Sequence, residues 1–279
     1  MKHPRKHLLC LLLALWLTGV LLAGCAADTA DANADLPAIT VGCDNYPPFT
    51  YVDSDGKPVG IDVELADEAF RRMGYRPEFV TINWAEKNEL LENGVIDCIW
   101  SSFSMSGRAD EYTWAGPYMY SHQVVAVMPD SDIQTLADLA GKTVVVQATT
   151  KPESLFLDGN DPRIPEIRAL HSLQKREMIY SYLSKGYADA VAAHETSILQ
   201  FMKDYGVEFR ILEEPLEAVE LGVAFSRSDD RGIAQALSAT LEEMHTDGTT
   251  RSILAGYLAS GGRRLCRLNP AAPSSAFAC

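Results

Sequence analysis

The sequence predicts an α/β fold made of two units, each a mainly parallel sheet covered by helices. Three observations lead to this prediction. Apolar segments of strand length alternate with segments of helical periodicity through most of the chain, a pattern typical of parallel sheets with crossover helices. The alternation runs through two rounds, which is more than one sheet needs. The composition, 47% hydrophobic and 22% charged, is that of a globular protein with one large core or two modest ones.

The first round of alternation lies between residues 38 and 100. Val63, Ala66, Phe70 and Met73 share one face of a helix that Gly74 ends, and short apolar segments flank this helix. The predicted elements are the strand 38–43, the helix 62–73, the strand 75–82, the helix 84–93 and the strand 95–100. Their order, βαβαβ, favours a parallel sheet.

The second round begins at residue 124 and contains shorter elements. Gly141 indicates the end of a short helix just before an apolar strand. The predicted strands are 124–128, 143–147, 167–170, 188–191, 207–212 and 221–225, and the predicted helices are 135–140, 173–185, 196–205 and 229–246. Two such units that face each other would form a cleft at the carboxyl ends of their strands, a usual position for a small-molecule site.

The amino terminus has the features of an export signal. Lys2, Arg5 and Lys6 precede the apolar run 8–22, which is shorter than the roughly 20 residues that a spanning helix needs. The run ends in Leu-Ala-Gly-Cys25, which resembles a bacterial lipobox. The resemblance implies cleavage before Cys25 and diacylation of its sulfur. An ordinary cleaved signal, or a retained anchor with a chance cysteine, is the alternative.

Charge and missing motifs exclude several classes of function. Removal of the predicted signal, residues 1–24, takes away three positive charges and changes the net charge from −14 to −17. A nucleic-acid partner is therefore not expected. The common hydrolase, zinc, redox and dinucleotide motifs are missing from the sequence. Residues 141–143, Gly-Lys-Thr, follow a predicted helix and lack the earlier glycine of a phosphate-binding loop. We predict no metal and no cofactor.

The segments around the predicted fold are expected to be unstructured. Residues 25–36 are short, acidic and alanine-rich, which favours a flexible spacer, and residues 261–279 have the composition of a disordered tail. Outside the signal and the lipobox, cysteines lie on two predicted strands, Cys43 and Cys98, and in the tail, Cys266 and Cys279. We expect buried thiols in the strands and a loose or mutually bridged pair in the tail.

Polar and aromatic residues follow two of the predicted strands. Asp44 and Tyr46 come directly after the first strand. The hydroxyl-rich segment 101–108 follows the third strand and ends in Arg108. Hydroxyls, loop amides and a guanidinium together suit a carboxylate ligand. The alternative for Arg108 is a surface ion pair with Asp110 or Glu111.

Several separate segments carry a family resemblance. They are Phe49, GIDVEL (60–65), IDCIW (96–100), SMSGR (104–108), YTW (112–114), PY (117–118), LAGKTV (139–144) and GYADA (186–190). In order and spacing they resemble the extracytoplasmic amino-acid-binding proteins of ABC importers, solute-binding protein family 3, over about residues 38–259. The resemblance implies two lobes that close over a ligand about two crossover strands. The first lobe would comprise 37–119 and 221–260 and the second 120–220, with hinges near 118–124 and 217–222.

The resemblance also implies a carboxylate site. It places the α-carboxylate of the solute on Arg108. Ser102 and Ser104 would donate to it from the first lobe, and Thr149 and Thr150 from the second. The two threonines precede a proline that is favoured in a first helical turn, so free amides at a helix start would also favour an anion there.

Aromatic and acidic candidates complete the site that the resemblance implies. Tyr46 resembles the aromatic lid of the family, and Trp84 and Trp100 are candidate walls, for which core packing is the alternative. Asp44 is the candidate for the ammonium group, and a turn-capping aspartate is its alternative.

One departure from the family concerns the ammonium group. Members usually have an aspartate where this chain has His194, followed by Glu195. Three consequences are open: Glu195 turns inward and substitutes, the solute lacks an ordinary α-ammonium, or the site is pH-sensitive. Alternatively, both residues simply begin the next helix.

These features predict a monomeric, lipid-anchored, extracytoplasmic binding protein without catalytic residues. It would capture an amino acid or a similar small carboxylate and deliver it to an ABC permease in the membrane. An enzyme resembling the cyclohexadienyl dehydratases, with His194 and Glu195 as acid and base, is one alternative. A sensor that reports to a membrane receptor is the other.

Overall fold

A computed structural model describes residues 36–258 of the chain. The predicted signal peptide 1–24, the predicted lipidation site Cys25, nearly all of the predicted spacer and the predicted tail with Cys266 and Cys279 lie outside the described residues. Within residues 36–258, none of the helices has the length and apolarity that crossing a bilayer requires.

The described residues form eleven strands, seven α-helices and two short 3₁₀ helices. The strands are β1 (Ala38–Cys43), β2 (Tyr51–Val52), β3 (Pro58–Val59), β4 (Arg76–Thr81), β5 (Cys98–Ser104), β6 (Thr113–Val127), β7 (Thr143–Gln147), β8 (Ala169–Leu173), β9 (Ala190–His194), β10 (Arg210–Ile211) and β11 (Glu217–Phe225). The helices are α1 (Ile61–Arg72), α2 (Lys87–Glu92), α3 (Lys151–Asp158), α4 (Arg176–Ser184), α5 (Glu195–Tyr205), α6 (Ile233–Thr246) and α7 (Thr249–Leu258). The 3₁₀ helices are Trp84–Glu86 and Leu136–Leu139.

Nine of these strands form one continuous sheet, in the order β4-β1-β5-β11-β6-β9-β7-β8 with β10 paired to β6. β1 is parallel to β4 and β5, and β7 is parallel to β8 and β9. β11 and β6 lie between these two parallel parts and are antiparallel to their neighbours. The α/β fold class with mainly parallel strands and two joining strands is therefore confirmed.

The two parts of the sheet have separate hydrophobic cores. Trp100 and Phe70 belong to a large cluster between α1, α6 and the β1–β5 side of the sheet. Val124, Ile179 and Ile198 belong to a different cluster on the β7–β9 side, where a further cluster covers the opposite face. Because each side buries its own apolar surface, the strands β6 and β11 carry the main connection between them.

Helix α1 begins where the sequence predicts, after a turn that only glycine fits. Gly60 has φ +125°, and a Cβ there would collide with the carbonyl oxygen of Phe49. The apolar face of the helix, including Leu65 and Phe70, is fully buried. This packing fixes the amino end of α1 beside β5.

Several predicted bounds are wrong. The third strand is Cys98–Ser104 rather than 95–100, so the serines predicted to lie in a loop are buried in β5, where Leu221 of β11 pairs with Ser104. β6 begins at Thr113 rather than at residue 124, because it pairs with β11 along its first part. The helix predicted at 229–246 starts at Ile233, and the one at 135–140 is only a 3₁₀ turn. Helix α7 and the β2–β3 hairpin are not among the predicted elements, and only the start of α3, before Pro152, is predicted.

Two smaller predictions are confirmed. Gly141 has φ +67° and ends the 3₁₀ turn directly before β7, so the Gly-Lys-Thr segment opens a strand and not a helix. Cys43 and Cys98 are free and buried.

Candidate ligand-binding cleft

A cleft of about 310 Å³, its mouth included, lies where β5, β9 and the starts of α3 and α4 meet. Six of the eleven predicted site residues line it, namely Trp84, Ser102, Ser104, Arg108, Thr150 and His194. Its other lining residues are Ser101, Phe103, Gln123, Lys151, Pro152 and Arg176.

Arg108 follows β5 and lies half-buried at the cleft wall. Its Nη1 donates to the carbonyl of Ser104 at 3.3 Å, and its guanidinium lies 5.2 Å from the ring centroid of Phe103. Trp114 Nε1 donates to the Arg108 carbonyl at 3.0 Å and fixes the backbone. No ion pair of Arg108 forms within residues 36–258, so the predicted alternative, a surface pair with a neighbouring acid, is not present there. The guanidinium keeps most of its N–H groups free for a ligand.

Buried hydroxyls on β5 face the same cleft. The side-chain oxygens of Ser102 and Ser104 are buried and have no hydrogen-bond partner in the described part of the chain. Ser102 has φ +45°, an uncommon value for serine. Its N–H donates to Asp62 Oδ2 at 2.6 Å, and burial raises the pKa of Asp62 to about 7. Asp62, in the first turn of α1, thus holds the strained backbone that presents these hydroxyls.

The start of α3 supplies a wall from the opposite side. Thr150 is the N-cap residue, but its hydroxyl donates to the Gln147 carbonyl at 2.6 Å and caps no helix amide. Lys151 and Pro152 in the first turn also line the cleft. Lys151 Nζ lies 3.2 Å from Glu217 Oε2. The first-turn amides of α3 therefore have no side-chain cap at this wall.

Arg176, the first residue of α4, is a lining residue that the sequence analysis missed. Its side chain is 8% exposed and its guanidinium carbon lies 3.3 Å from the ring centroid of Tyr46. Arg176 Nε donates to Asp44 Oδ2 at 3.4 Å. The available signal was a basic residue at the start of a helix that follows a strand's carboxyl end. Gln123 and Lys151 were missed as well.

His194 is a buried, neutral residue at the end of β9. Gln123 Nε2 lies 2.9 Å from His194 Nε2, and Ser121 Oγ lies 2.9 Å from His194 Nδ1. With the amide nitrogen as donor, the ring proton is on Nδ1 and is donated to Ser121. Burial and the positive charge of Arg176 lower the pKa of His194 to about 3. The ring has no negative charge with which to replace the aspartate that the family usually has.

The remaining five predicted residues do not line the cleft. Trp100 packs in the core, with ring centroids 5.9 Å from Phe70 and 5.5 Å from Tyr118. Glu195 Oε2 lies 3.6 Å from His122 Nδ1. The other three, Asp44, Tyr46 and Thr149, contact residues across the cleft.

These three residues join the β1–β5 side to the β7–β9 side. Asp44 Oδ2 accepts from Gln147 Nε2 at 2.7 Å. The hydroxyl of Tyr46 accepts from the His194 N–H at 3.2 Å. Thr149 accepts from Lys87 Nζ through its hydroxyl at 3.1 Å. In this structure the cleft is therefore closed by contacts between its two sides.

Comparison with known proteins points to one family. A model described as bacterial extracellular solute-binding proteins, family 3, matches residues 39–260. The chain is 31% identical to the histidine-binding periplasmic protein of Salmonella typhimurium over 255 residues, 88% of this chain and 96% of that protein. It is 27% identical to the glutamate-binding protein GluB of Corynebacterium glutamicum over 263 residues, 85% of each. The solved structure of Tv2483 bound to L-arginine is similar with a TM-score of 0.73 and 26% identity, covering 80% of this chain and 90% of that one.

Proposed function

The chain belongs to the bacterial extracellular solute-binding proteins of family 3, and we propose that its cleft binds an amino acid or a related small carboxylate through Arg108. As a member of this family it captures a solute outside the cytoplasm for an ABC importer. The relatives named above bind histidine, glutamate and arginine, which share an α-carboxylate.

One observation carries this proposal. Arg108, Ser102 and Ser104 line the same cleft. Within residues 36–258, Arg108 forms one side-chain hydrogen bond, from Nη1, and the buried hydroxyls of the two serines have no partner. Buried polar groups without partners are costly unless a ligand satisfies them. A carboxylate offers two oxygens that accept from a guanidinium fork and from neighbouring hydroxyls.

Titration calorimetry with a panel of free amino acids tests the proposal. We expect at least one to bind with micromolar affinity or better, and Arg108→Ala to weaken this binding roughly 100-fold or more, because a charge-assisted contact is lost in a desolvated site. The matched control is Arg168→Ala, since Arg168 is 66% exposed and lies outside the cleft. Tight binding that survives Arg108→Ala would contradict the assignment of the carboxylate site.

We further propose the lobe limits 37–119 with 221–260, and 120–220, with hinges near 118–124 and 217–222. The separate cores support this division: apart from Val219, the buried residues of the two clusters on the β1–β5 side come from 37–119 and 221–258, and those of the two clusters on the β7–β9 side come from 120–220. β6 runs through the first proposed hinge and β11 through the second. The carboxylate site would then be divided between the lobes, with Arg108 on the first and Thr150 on the second.

The membrane tether is a separate proposal that rests on the sequence. The charged and apolar order of residues 1–22 followed by Leu-Ala-Gly-Cys25 supports a diacylated Cys25 that keeps the protein near its permease. Mass spectrometry of the amino-terminal peptide from bacterial membranes should find the chain cut before Cys25 and modified on its sulfur. A mature amino terminus at another residue would contradict the tether.

The enzyme alternative gains no support from the geometry of its two candidate residues. His194 has both ring nitrogens engaged by Ser121 and Gln123, and Glu195 pairs with His122. An acid and base acting on one substrate would have to lie at the same cleft wall, and only His194 does. We therefore propose a binding protein without catalytic residues. That it is a monomer remains a proposal from the family resemblance.

A further inference from the structure

The charge of the cleft is one-sided. Three cationic side chains line it, those of Arg108, Lys151 and Arg176, and among residues 36–258 no carboxylate does. Walls of one sign with little access to water strengthen the attraction of an oppositely charged ligand. The cleft therefore suits a solute with more negative than positive charge.

The acids near the cleft are already engaged behind its walls. Asp44 accepts from the Asn45 N–H at 2.9 Å, from Gln147 and from Arg176 Nε. Glu217 lies against Lys151, and Glu195 lies against His122. Because Arg176 contacts Asp44 through Nε alone, its two Nη groups have no hydrogen-bond partner in the described chain. They remain as a second fork of donors beside that of Arg108.

The starts of three helices add partial positive charge at the same place. Thr150, Arg176 and His194 line the cleft at the beginnings of α3, α4 and α5. Within the described part of the chain, none of these three helices has a side-chain hydrogen bond at its N-cap, so the first-turn N–H groups, which Pro152 lacks, are open to an anion. The buried, partner-free hydroxyls of Ser102 and Ser104 on the opposite wall show that this space is built for a polar ligand.

A positive group on the solute finds only neutral acceptors. Gln123 lines the cleft. Its Oε1 is buried and has no hydrogen-bond partner within the described residues. His194 is neutral and its nitrogens are engaged. A neutral amide oxygen compensates an ammonium less than a carboxylate does. A solute whose only anionic group is its α-carboxylate would leave the Nη groups of Arg176 without an acceptor, because Asp44 engages only Nε.

We propose that the solute is a dicarboxylate, with one carboxylate on Arg108 and the second on Arg176 at the starts of α3 and α4. This inference rests on the proposed function, because it assigns a second group of the same ligand. Two sources share this chemistry: an acidic amino acid, whose ammonium would use Gln123 Oε1, and a dicarboxylic acid without an ammonium group.

The first test compares ligands matched in size. Titration calorimetry of the purified protein uses L-glutamate, L-aspartate, 2-oxoglutarate, succinate, L-glutamine, L-asparagine, L-histidine and L-arginine. We expect the best dicarboxylate to bind at least roughly 30-fold tighter than L-glutamine and L-asparagine, because these amides lack the second charge. Comparison of L-glutamate and L-aspartate with 2-oxoglutarate and succinate distinguishes an acidic amino acid from a dicarboxylic acid without an ammonium group. If an amide or a cationic amino acid binds tightest, the dicarboxylate inference is overturned and the proposed function stands. If none binds, both fail.

The second test assigns the second carboxylate to Arg176. We expect Arg176→Gln to lower the affinity for the best dicarboxylate roughly 10- to 100-fold and to change the affinity for L-glutamine or L-asparagine by much less. Lys151→Gln serves as a second variant at the same wall, and the exposed Arg168→Gln is the control. Equal losses for both ligands in Arg176→Gln would mean that Arg176 only supports Tyr46 and Asp44, and would overturn the assignment.

Discussion

Two buried titratable side chains flank the cleft and have opposite pKa shifts. Burial raises the pKa of Asp62 to about 7, whereas burial and Arg176 lower the pKa of His194 to about 3. The folded protein therefore holds a proton on Asp62 that the unfolded chain releases above about pH 4, and lacks a proton on His194 that the unfolded chain binds below about pH 6.5. The two effects on stability have opposite signs over nearly the same range.

The sign of each contribution follows from linkage. The contribution of Asp62 is fully present below the ordinary aspartate pKa and is lost as the pH rises through about 7. The contribution of His194 is present above the ordinary histidine pKa and is lost as the pH falls towards 3. Between about pH 4 and 6.5, the stability that Asp62 loses as the pH rises is offset by the stability that His194 gains.

Single substitutions should separate these contributions. Relative to the parent protein, the free energy of unfolding of Asp62→Asn should rise with pH between about 4 and 7, because the opposing titration of Asp62 is gone. That of His194→Gln should fall over the same range relative to the parent. Urea denaturation at several pH values measures both. If the difference from the parent changes with pH in the same direction for both variants, at least one of the two pKa shifts is contradicted.

Among the elements, the best-predicted strands are those whose sequence is mostly apolar. The predicted bounds of β1 and β7 are confirmed because most of their residues, such as Val41 and Val145, are fully buried. Continuous apolar runs of this length have few other ways to bury their surface. Helices with one apolar face, such as α1, are well predicted for the same reason.

The strands that form the site were harder to predict because their residues are polar. Ser101 and Ser104 belong to β5 since β11, more than a hundred residues later in the chain, supplies pairing for this strand and covers it. The first part of β6, with Gly116 and Pro117, likewise becomes a strand through its pairing with β11. Local sequence contains no sign of such distant partners. The bounds that place the serines at the cleft therefore depend on tertiary structure.

The candidate site divides in the same way. Arg108, Ser102, Ser104 and Thr150 could be selected because hydroxyls and a guanidinium at strand ends suit a carboxylate, and the structure places all four at the cleft. For Arg176 the sequence offers only the general signal of a basic residue near a helix start, since the direction of its side chain depends on where α4 begins and on the ring of Tyr46 beneath it. The sequence could also not show that Asp44 is held by Arg176 and Gln147 and does not line the cleft.

In the whole molecule, closure of the cleft brings together groups from the two proposed lobes. Tyr46 is fully buried, and its hydroxyl accepts from the backbone N–H of His194 where β9 passes into α5. Its ring packs against Phe49 on its own side and against Arg176 on the other. The hydroxyl contact exists only when the two sides meet, so its energy belongs to the closed state.

Substitution of Tyr46 by phenylalanine should therefore act on release of the solute. Tyr46→Phe keeps the ring on Arg176 and Phe49 but leaves the His194 N–H unpaired when the cleft is closed, whereas water can satisfy that N–H when the cleft is open. We expect the solute to dissociate roughly 5- to 20-fold faster, with an association rate within about twofold of the parent. Stopped-flow tryptophan fluorescence measures both rates, and Tyr187→Phe is the control because Tyr187 is exposed. A slower association with unchanged dissociation would mean that the contact forms before the solute is captured, and that closure is not the step that retains it.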